Sequence, residues 1–132
     1  VVADVVRGQW SALDRRTRMR QTAEMDGADV EIWTEQEPGS GGKESAEATI
    51  RDLQGFRVYT DRVTGDKESR AEPYAAQQQG GNVYLVRGDW NSDFIDEHET
   101  FPAGTYVDQV DAAAGAVAKL AEAATHDYGD LL

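Results

Sequence analysis

The chain has 132 residues with 25 Asp and Glu against 13 Lys and Arg, a net charge of −12, two His and no Cys. That length suits one domain or a piece of one, and the charge excludes a basic nucleic-acid module or a polybasic membrane binder. The missing Cys excludes a disulfide scaffold, thiolate zinc sites and a cysteine nucleophile, and no run approaches the roughly 18 apolar residues of a membrane span.

An acidic chain can be disordered, but 39% hydrophobic residues with three Trp and five Tyr argue for a folded domain. The start, Val1-Val2-Ala3-Asp4, has no Met and no signal-peptide pattern, so the chain is expected to be cut from something longer. Val1 to Val6 is β-branched and predicts a strand, ended by Gly8. Ser11 with Asp14 three residues on is a helix-capping pattern, and it predicts a helix from about Ala12 to Met25, closed by Asp26-Gly27. Val30 to Thr34 predicts a second strand, and Pro38 to Gly42 a loop. Ala46, Ile50 and Leu53 recur at helical spacing and predict an amphipathic helix over Lys43 to Gln54. Phe56 to Tyr59 predicts a third strand, and Thr64-Gly65-Asp66-Lys67 a turn. A helix over about Lys67 to Gln79 follows, with Pro73 disturbing it or marking a restart. Val83 to Val86 predicts a fourth strand, and Asp93 to His98 a short helix. Val110, Ala114, Val117 and Ala121 then predict a long helix to about Ala124, before a frayed tail over 125–132.

The order is βαβαβαβ followed by helices, an α/β layout with a mostly parallel sheet covered by helices. Ligands of such sheets sit beyond the carboxyl ends of the strands. Glu35 follows the second strand directly, where a carboxylate can hold a hard cation. The glycines after it let backbone approach a phosphate, and Lys43 would add a positive charge. The ordinary alternative is a solvated Gly-rich strand–helix turn. It is not a Walker A loop, because position 37 is Glu where that pattern needs Gly.

Asp108 and Asp111, three apart, share one side of the first turn of the last helix, from which two carboxylates could reach a metal beside Glu35. The alternative makes Asp108 a cap and Asp111 an acid favoured by the helix dipole. Lys67 and Arg70 can hold a DNA phosphate or form an ordinary ion pair. Arg15, Arg16, Arg18 and Arg20 are the only basic run, able to touch DNA or a neighbouring domain, with a solvated helix face as the default. His98 and His126 match no zinc pattern, and no Gly-x-Ser-x-Gly elbow exists.

Several stretches occur together in a recognisable order. They are Glu35-Gln36-Glu37-Pro38-Gly39-Ser40-Gly41-Gly42-Lys43, Thr64-Gly65-Asp66-Lys67 with Arg70, Gly81-Asn82-Val83-Tyr84-Leu85-Val86 with Trp90-Asn91, Phe101-Pro102, and Asp108-Gln109-Val110-Asp111-Ala112. As a set, with Asp4 to Gly8 leading into the first helix, they resemble the C-terminal nuclease domain of tailed-phage and prophage terminase large subunits, over the chain to about Ala124. The resemblance implies an RNase H-like α/β fold with a mixed, mostly parallel sheet flanked by helices, here without its first strands. It implies a nuclease domain over 1–124, truncated at its N-terminus, and a flexible tail over 125–132.

The implied activity is metal-dependent DNA endonuclease, hydrolysing phosphodiesters of concatemeric phage DNA with two Mg²⁺ or Mn²⁺ ions. Glu35, Asp108 and Asp111 are the implied catalytic and metal-binding acids, and Lys43, Lys67 and Arg70 the candidate DNA contacts. The implied partners are double-stranded DNA and, in a full-length protein, the small terminase subunit and portal, in the host cytoplasm and without a membrane. The chain departs from the family where His-Asp-Asp usually precedes Gln-Val-Asp, since Tyr106, Val107 and Asp108 stand there. The family's first-strand acid would lie upstream of Val1, so the fragment could be inactive. The rival is a degenerate, non-catalytic prophage domain that docks proteins of the packaging motor.

Overall fold

A computed structural model describes residues 1–62 and 65–131, with side chains up to residue 124. The chain forms two compact units, Gly8–Thr64 and the pair of segments Val1–Arg7 with Gly65–Leu132.

In Gly8–Thr64 the order is α1 (Ala12–Asp26), β1 (Glu31–Gln36), α2 (Ser40–Asp52) and β2 (Arg57–Arg62). Ser11 starts α1 as expected, its hydroxyl accepting from the Asp14 amide at 3.2 Å. Gly27 ends it with φ +95°, a value only glycine adopts freely. Only Ala23 of α1 is buried, so polar contacts hold the helix to its unit. Arg16 pairs with Asp52 at 2.7 Å, and Arg20 donates to the Asp52 carbonyl at 3.0 Å. The strands β1 and β2 run parallel, in a register that sets Ile32 beside Val58, Trp33 beside Tyr59 and Glu35 beside Asp61. Burial alternates along β1, with Ile32, Thr34 and Gln36 half-buried and Glu31, Trp33 and Glu35 exposed.

The helix between the strands starts three residues earlier than the glycines suggested. Gly39, at φ +92°, turns the chain and α2 begins at Ser40. A Cβ on Gly42 would run into the Glu37 carbonyl, so the glycine is there to let two turns of backbone meet. Ala46 and Leu53 face inward as expected, whereas Ile50 stays 41% exposed.

The second unit holds α3 (Lys67–Gln79), α4 (Asn91–Thr100) and α5 (Asp108–Leu131). Thr64 of the predicted turn lies outside the described residues. Pro73 neither stops nor restarts α3. The ring removes one backbone donor, but Ala71 and Tyr74 on either side of it are buried against Val110 and Ala114 of α5, and that packing outweighs the lost bond. Val83, Phe101, Ala113 and Val117 extend this core. The expected tail falls where side chains from 125 onward and Leu132 are outside the described residues; the α5 backbone continues to Leu131.

The four-strand expectation is corrected. Val1–Val6 and Val83–Val86 form no strands, only one parallel bridge between Val2 and Leu85. The Val2 amide donates to the Tyr84 carbonyl at 2.8 Å, and the Val86 amide to the Val2 carbonyl at 3.0 Å. Both segments have strand composition, but a strand also needs a ladder and cover for its side chains. Val1 is 83% and Tyr84 64% exposed. The α/β class stands, with a two-stranded parallel sheet among the described residues. No described helix is long and apolar enough to cross a membrane.

Candidate active site

The packing of α3 on α5 carries a charged cluster with it. Lys67 and Arg70 precede Ala71 and Tyr74 on the same side of α3, and Asp108 and Asp111 flank Val110 in the first turn of α5. Burying the apolar stripes therefore brings the four charges together. Lys67 Nζ lies 3.4 Å from Asp108 Oδ1 and 3.6 Å from Asp111 Oδ2. Arg70 Nη2 lies 3.1 Å from Asp111 Oδ1 and 3.3 Å from its Oδ2. Asp108 is the first residue of α5 rather than its cap, since the Asp111 amide bonds to the Val107 carbonyl at 3.1 Å. The cap of α3 is Asp66, whose carboxylate accepts from the Ser69 amide at 2.7 Å. That bond holds the Asp66 carboxyl below the ordinary carboxylate range.

The two acids differ sharply in access. The Asp108 side chain is 89% exposed and that of Asp111 only 7%. Carboxylates are the hard oxygen donors that Mg²⁺ and Mn²⁺ take. Of the two acids, Asp108 is therefore the one open to solvent. Asp111 does not fit a divalent ion as it stands, because both its oxygens face cations and solvent barely reaches it.

Glu35 and Lys43 belong to the other unit. Glu35 projects from the exposed face of β1, near its carboxyl end, with Asp61 of β2 as its register partner. Lys43 sits in the first turn of α2, its amide bonded to the Gly39 carbonyl at 3.2 Å. Among the described residues no group of three or more Asp, Glu or His is arranged to hold a metal ion. The Arg run is largely spent on its own unit. Beyond the Asp52 contacts, Arg20 reaches Glu24 at 3.3 Å, and Arg18 lies over the Trp10 ring at 4.6 Å.

Two further residues are tied into this unit: Glu97, which the sequence did not single out, and His98, which matched no zinc pattern. Glu97 of α4 is buried, its Oε2 accepting from the Val110 amide at 2.7 Å and its Oε1 from Gln109 Nε2 at 3.1 Å. It thereby satisfies a donor at the start of α5 that the helix itself leaves unpaired. The signal was there: Glu97 lies three residues after Phe94, on the buried face of α4. His98 Nδ1 bonds to the Phe94 carbonyl at 2.7 Å, and since a carbonyl only accepts, that nitrogen carries a proton. In the neutral ring Nε2 then accepts from the Tyr74 hydroxyl, 2.8 Å away. Burial pushes the Tyr74 pKa up.

The family model of the terminase RNaseH-like domain matches residues 1–127. The chain belongs to the terminase RNaseH-like domain family. No curated protein and no solved structure matches it. This terminase domain is thus of nuclease type, from the machinery of phage DNA packaging, with DNA and packaging proteins as its general partners. Its charged cluster falls in the stretches Thr64 to Arg70 and Asp108 to Ala112 on which the resemblance rested.

Proposed function

We propose that the domain hydrolyses phosphodiesters of double-stranded, concatemeric phage DNA as an endonuclease dependent on Mg²⁺ or Mn²⁺. Glu35 in one unit and Asp108 in the other are each proposed as an acid that would hold an ion. Bound there, the ions would lower the pKa of an attacking water and stabilise the leaving oxyanion. Asp111, the third acid of the sequence reading, is assigned instead to holding Arg70 and Lys67. The observation that supports the reading most is the open Asp108 carboxylate at the head of α5, 89% exposed in a domain of the terminase nuclease family.

The chain's own residues supply orientation and charge. A net charge of −12 repels DNA, so positive charge must be concentrated where a phosphate approaches. Lys67, Arg70 and Lys43 are the residues proposed to provide it. The core beneath α3 and α5 holds the first two in place, since Ala71 and Tyr74 follow them directly. In a complete packaging motor the proposed partners are the small terminase subunit and the portal, and the setting is the host cytoplasm.

A second reading, a non-catalytic docking domain, has one observation in its favour: no three acids gather among the described residues. Supercoiled plasmid incubated with the chain extended upstream through the family's first strand separates the two. The nuclease reading expects nicking with Mn²⁺, none with EDTA, and loss of nicking in both Glu35→Ala and Asp108→Ala. No metal-dependent nicking, or nicking unaffected by both substitutions, replaces it with the docking reading.

A further inference from the structure

The two strands of the Gly8–Thr64 unit have unlike faces. α2 packs against both strands, and burial alternates along them, with Ile32, Thr34, Val58 and Thr60 half-buried. The opposite face carries Glu31, Trp33 and Glu35 of β1 beside Arg57, Tyr59 and Asp61 of β2, all exposed. Trp33 and Tyr59 stack at its centre, ring centroids 4.9 Å apart and planes at 24°, yet they stay 41% and 38% exposed. Two large rings fixed against each other in solvent are the kind of anchor that protein interfaces favour, since little entropy is lost when a partner covers them.

The charges around the rings decide what they can take. An aromatic platform accepts either a nucleic-acid base or a cation. Glu31 spends both oxygens within the face, one on Arg57 Nη2 at 3.0 Å and one on the Trp33 indole at 3.2 Å. That fixes the indole and neutralises the arginine. At the other end of the rings Glu35 and Asp61 sit side by side in register. A base would bring its phosphate toward these carboxylates and be repelled, whereas a cation is attracted by carboxylates and ring faces together. Two residues of strand span about 7 Å, so a side chain stacked on a ring reaches the acid next along the strand. Arginine suits this better than lysine, because a planar guanidinium can stack and still donate to a carboxylate. The chain makes the same ring contact with its own residues, Arg18 over Trp10 at 4.6 Å and Arg7 over Tyr106 at 4.9 Å.

We propose that this face docks an arginine-bearing segment of another protein, with a guanidinium against Trp33 and Tyr59 and its fork toward Glu35 and Asp61. The proposal does not rest on the nuclease reading, because the two rings and Asp61 have no part in that reading.

Fluorescence anisotropy of a labelled short peptide of alternating arginine and glycine, mixed with the chain at about physiological salt, tests this. The acidic chain attracts any basic peptide, so the comparisons separate the face from that background. The arginine peptide should bind, and a lysine–glycine peptide of equal charge should bind several-fold more weakly. Trp33→Ala, Tyr59→Ala and Asp61→Asn should each weaken binding about two- to fivefold, and the two ring substitutions together about tenfold. Glu47→Gln removes the same charge from the exposed surface of α2 and should leave the affinity unchanged. Circular dichroism checks that each variant keeps its fold. If the arginine peptide does not bind, if the two peptides bind alike, or if Glu47→Gln weakens binding as much as Trp33→Ala, the proposal is overturned. Binding of labelled oligothymidylate that Trp33→Ala abolishes would make the face a nucleic-acid platform, and self-association in sedimentation that Trp33→Ala abolishes would make it an interface between copies of this chain; either result also overturns it.

Discussion

Replacing Glu97 should loosen the start of α5 in proportion to what the new side chain can still accept. Glu97 is 6% exposed, and each of its oxygens takes one bond, from the Val110 amide and from Gln109 Nε2. A hydrogen bond to a charged group contributes about 1.5–3 kcal/mol, and a buried donor left unpaired costs about 1–3 kcal/mol. Glu97→Ala strands the Val110 amide together with Gln109, which is itself 7% exposed. The expected loss is therefore about 2–4 kcal/mol, much of the roughly 5–15 kcal/mol that holds a typical domain. Glu97→Gln keeps an acceptor for Val110, and the Gln109 amide can turn over to accept from the new NH₂. Only the attraction between the negative charge and the helix dipole is lost, about 0.3–1 kcal/mol. The assay is urea unfolding followed by Trp90, which stacks edge-on against Phe94 at 5.4 Å, one turn before Glu97. Trp10 and Trp33 are replaced by Phe so that the signal comes from this unit alone. Equal losses in the two variants, or a loss under about 1 kcal/mol in Glu97→Ala, would refute the assignment.

Two other predictions concern the glycine turn and the buried tyrosine. Gly42→Ala puts a methyl group into the Glu37 carbonyl and should cost about 1–3 kcal/mol, whereas Gly41→Ala meets open space inside a helix and should stabilise by up to about 1 kcal/mol; urea midpoints that moved the same way would sink the close-approach argument. Because burial raises the Tyr74 pKa above its ordinary value of 10.0, the folded chain binds that proton more tightly than the unfolded one. Its stabilisation is complete below pH 10 and lost as pH rises through the raised folded value. Urea midpoints between pH 8 and 11 should therefore fall more steeply in the parent than in Tyr74→Phe, and parallel curves would contradict the burial effect. At neutral pH Tyr74→Phe should cost about 0.5–1.5 kcal/mol for the bond to His98.

Local signals in the sequence were read correctly where they are self-sufficient. The Ser11 hydroxyl meets the Asp14 amide three residues on, so the start of α1 needed nothing from the rest of the chain. The Val110, Ala114, Val117 and Ala121 spacing is a property of one helix; the first three do face the core, whereas Ala121 is exposed. Pro73 shows the reverse, because its local preference was overruled by Tyr74, buried to 2% exposure on α5. Val1–Val6 and Val83–Val86 show how a composition suited to strands comes to one bridge when the ladder is not made. At the site, Lys67, Arg70, Asp108 and Asp111 were all legible as candidates. Glu97 was not singled out: its spacing from Phe94 places it on the buried face of α4, but only the structure shows its two donors.

Taken alone, the sequence determined the helices with their own caps and stripes, the α/β class, and the family, because each rests on residues near one another or on motifs in a fixed order. Tertiary structure decided the access and pairing of the charges. The order of residues does not say that Asp108 stays 89% in solvent while Asp111, one turn on, is closed to 7% by Arg70. That difference follows from how α3 lies on α5, where apolar burial drives the approach and the charges must find partners at whatever distance it leaves them.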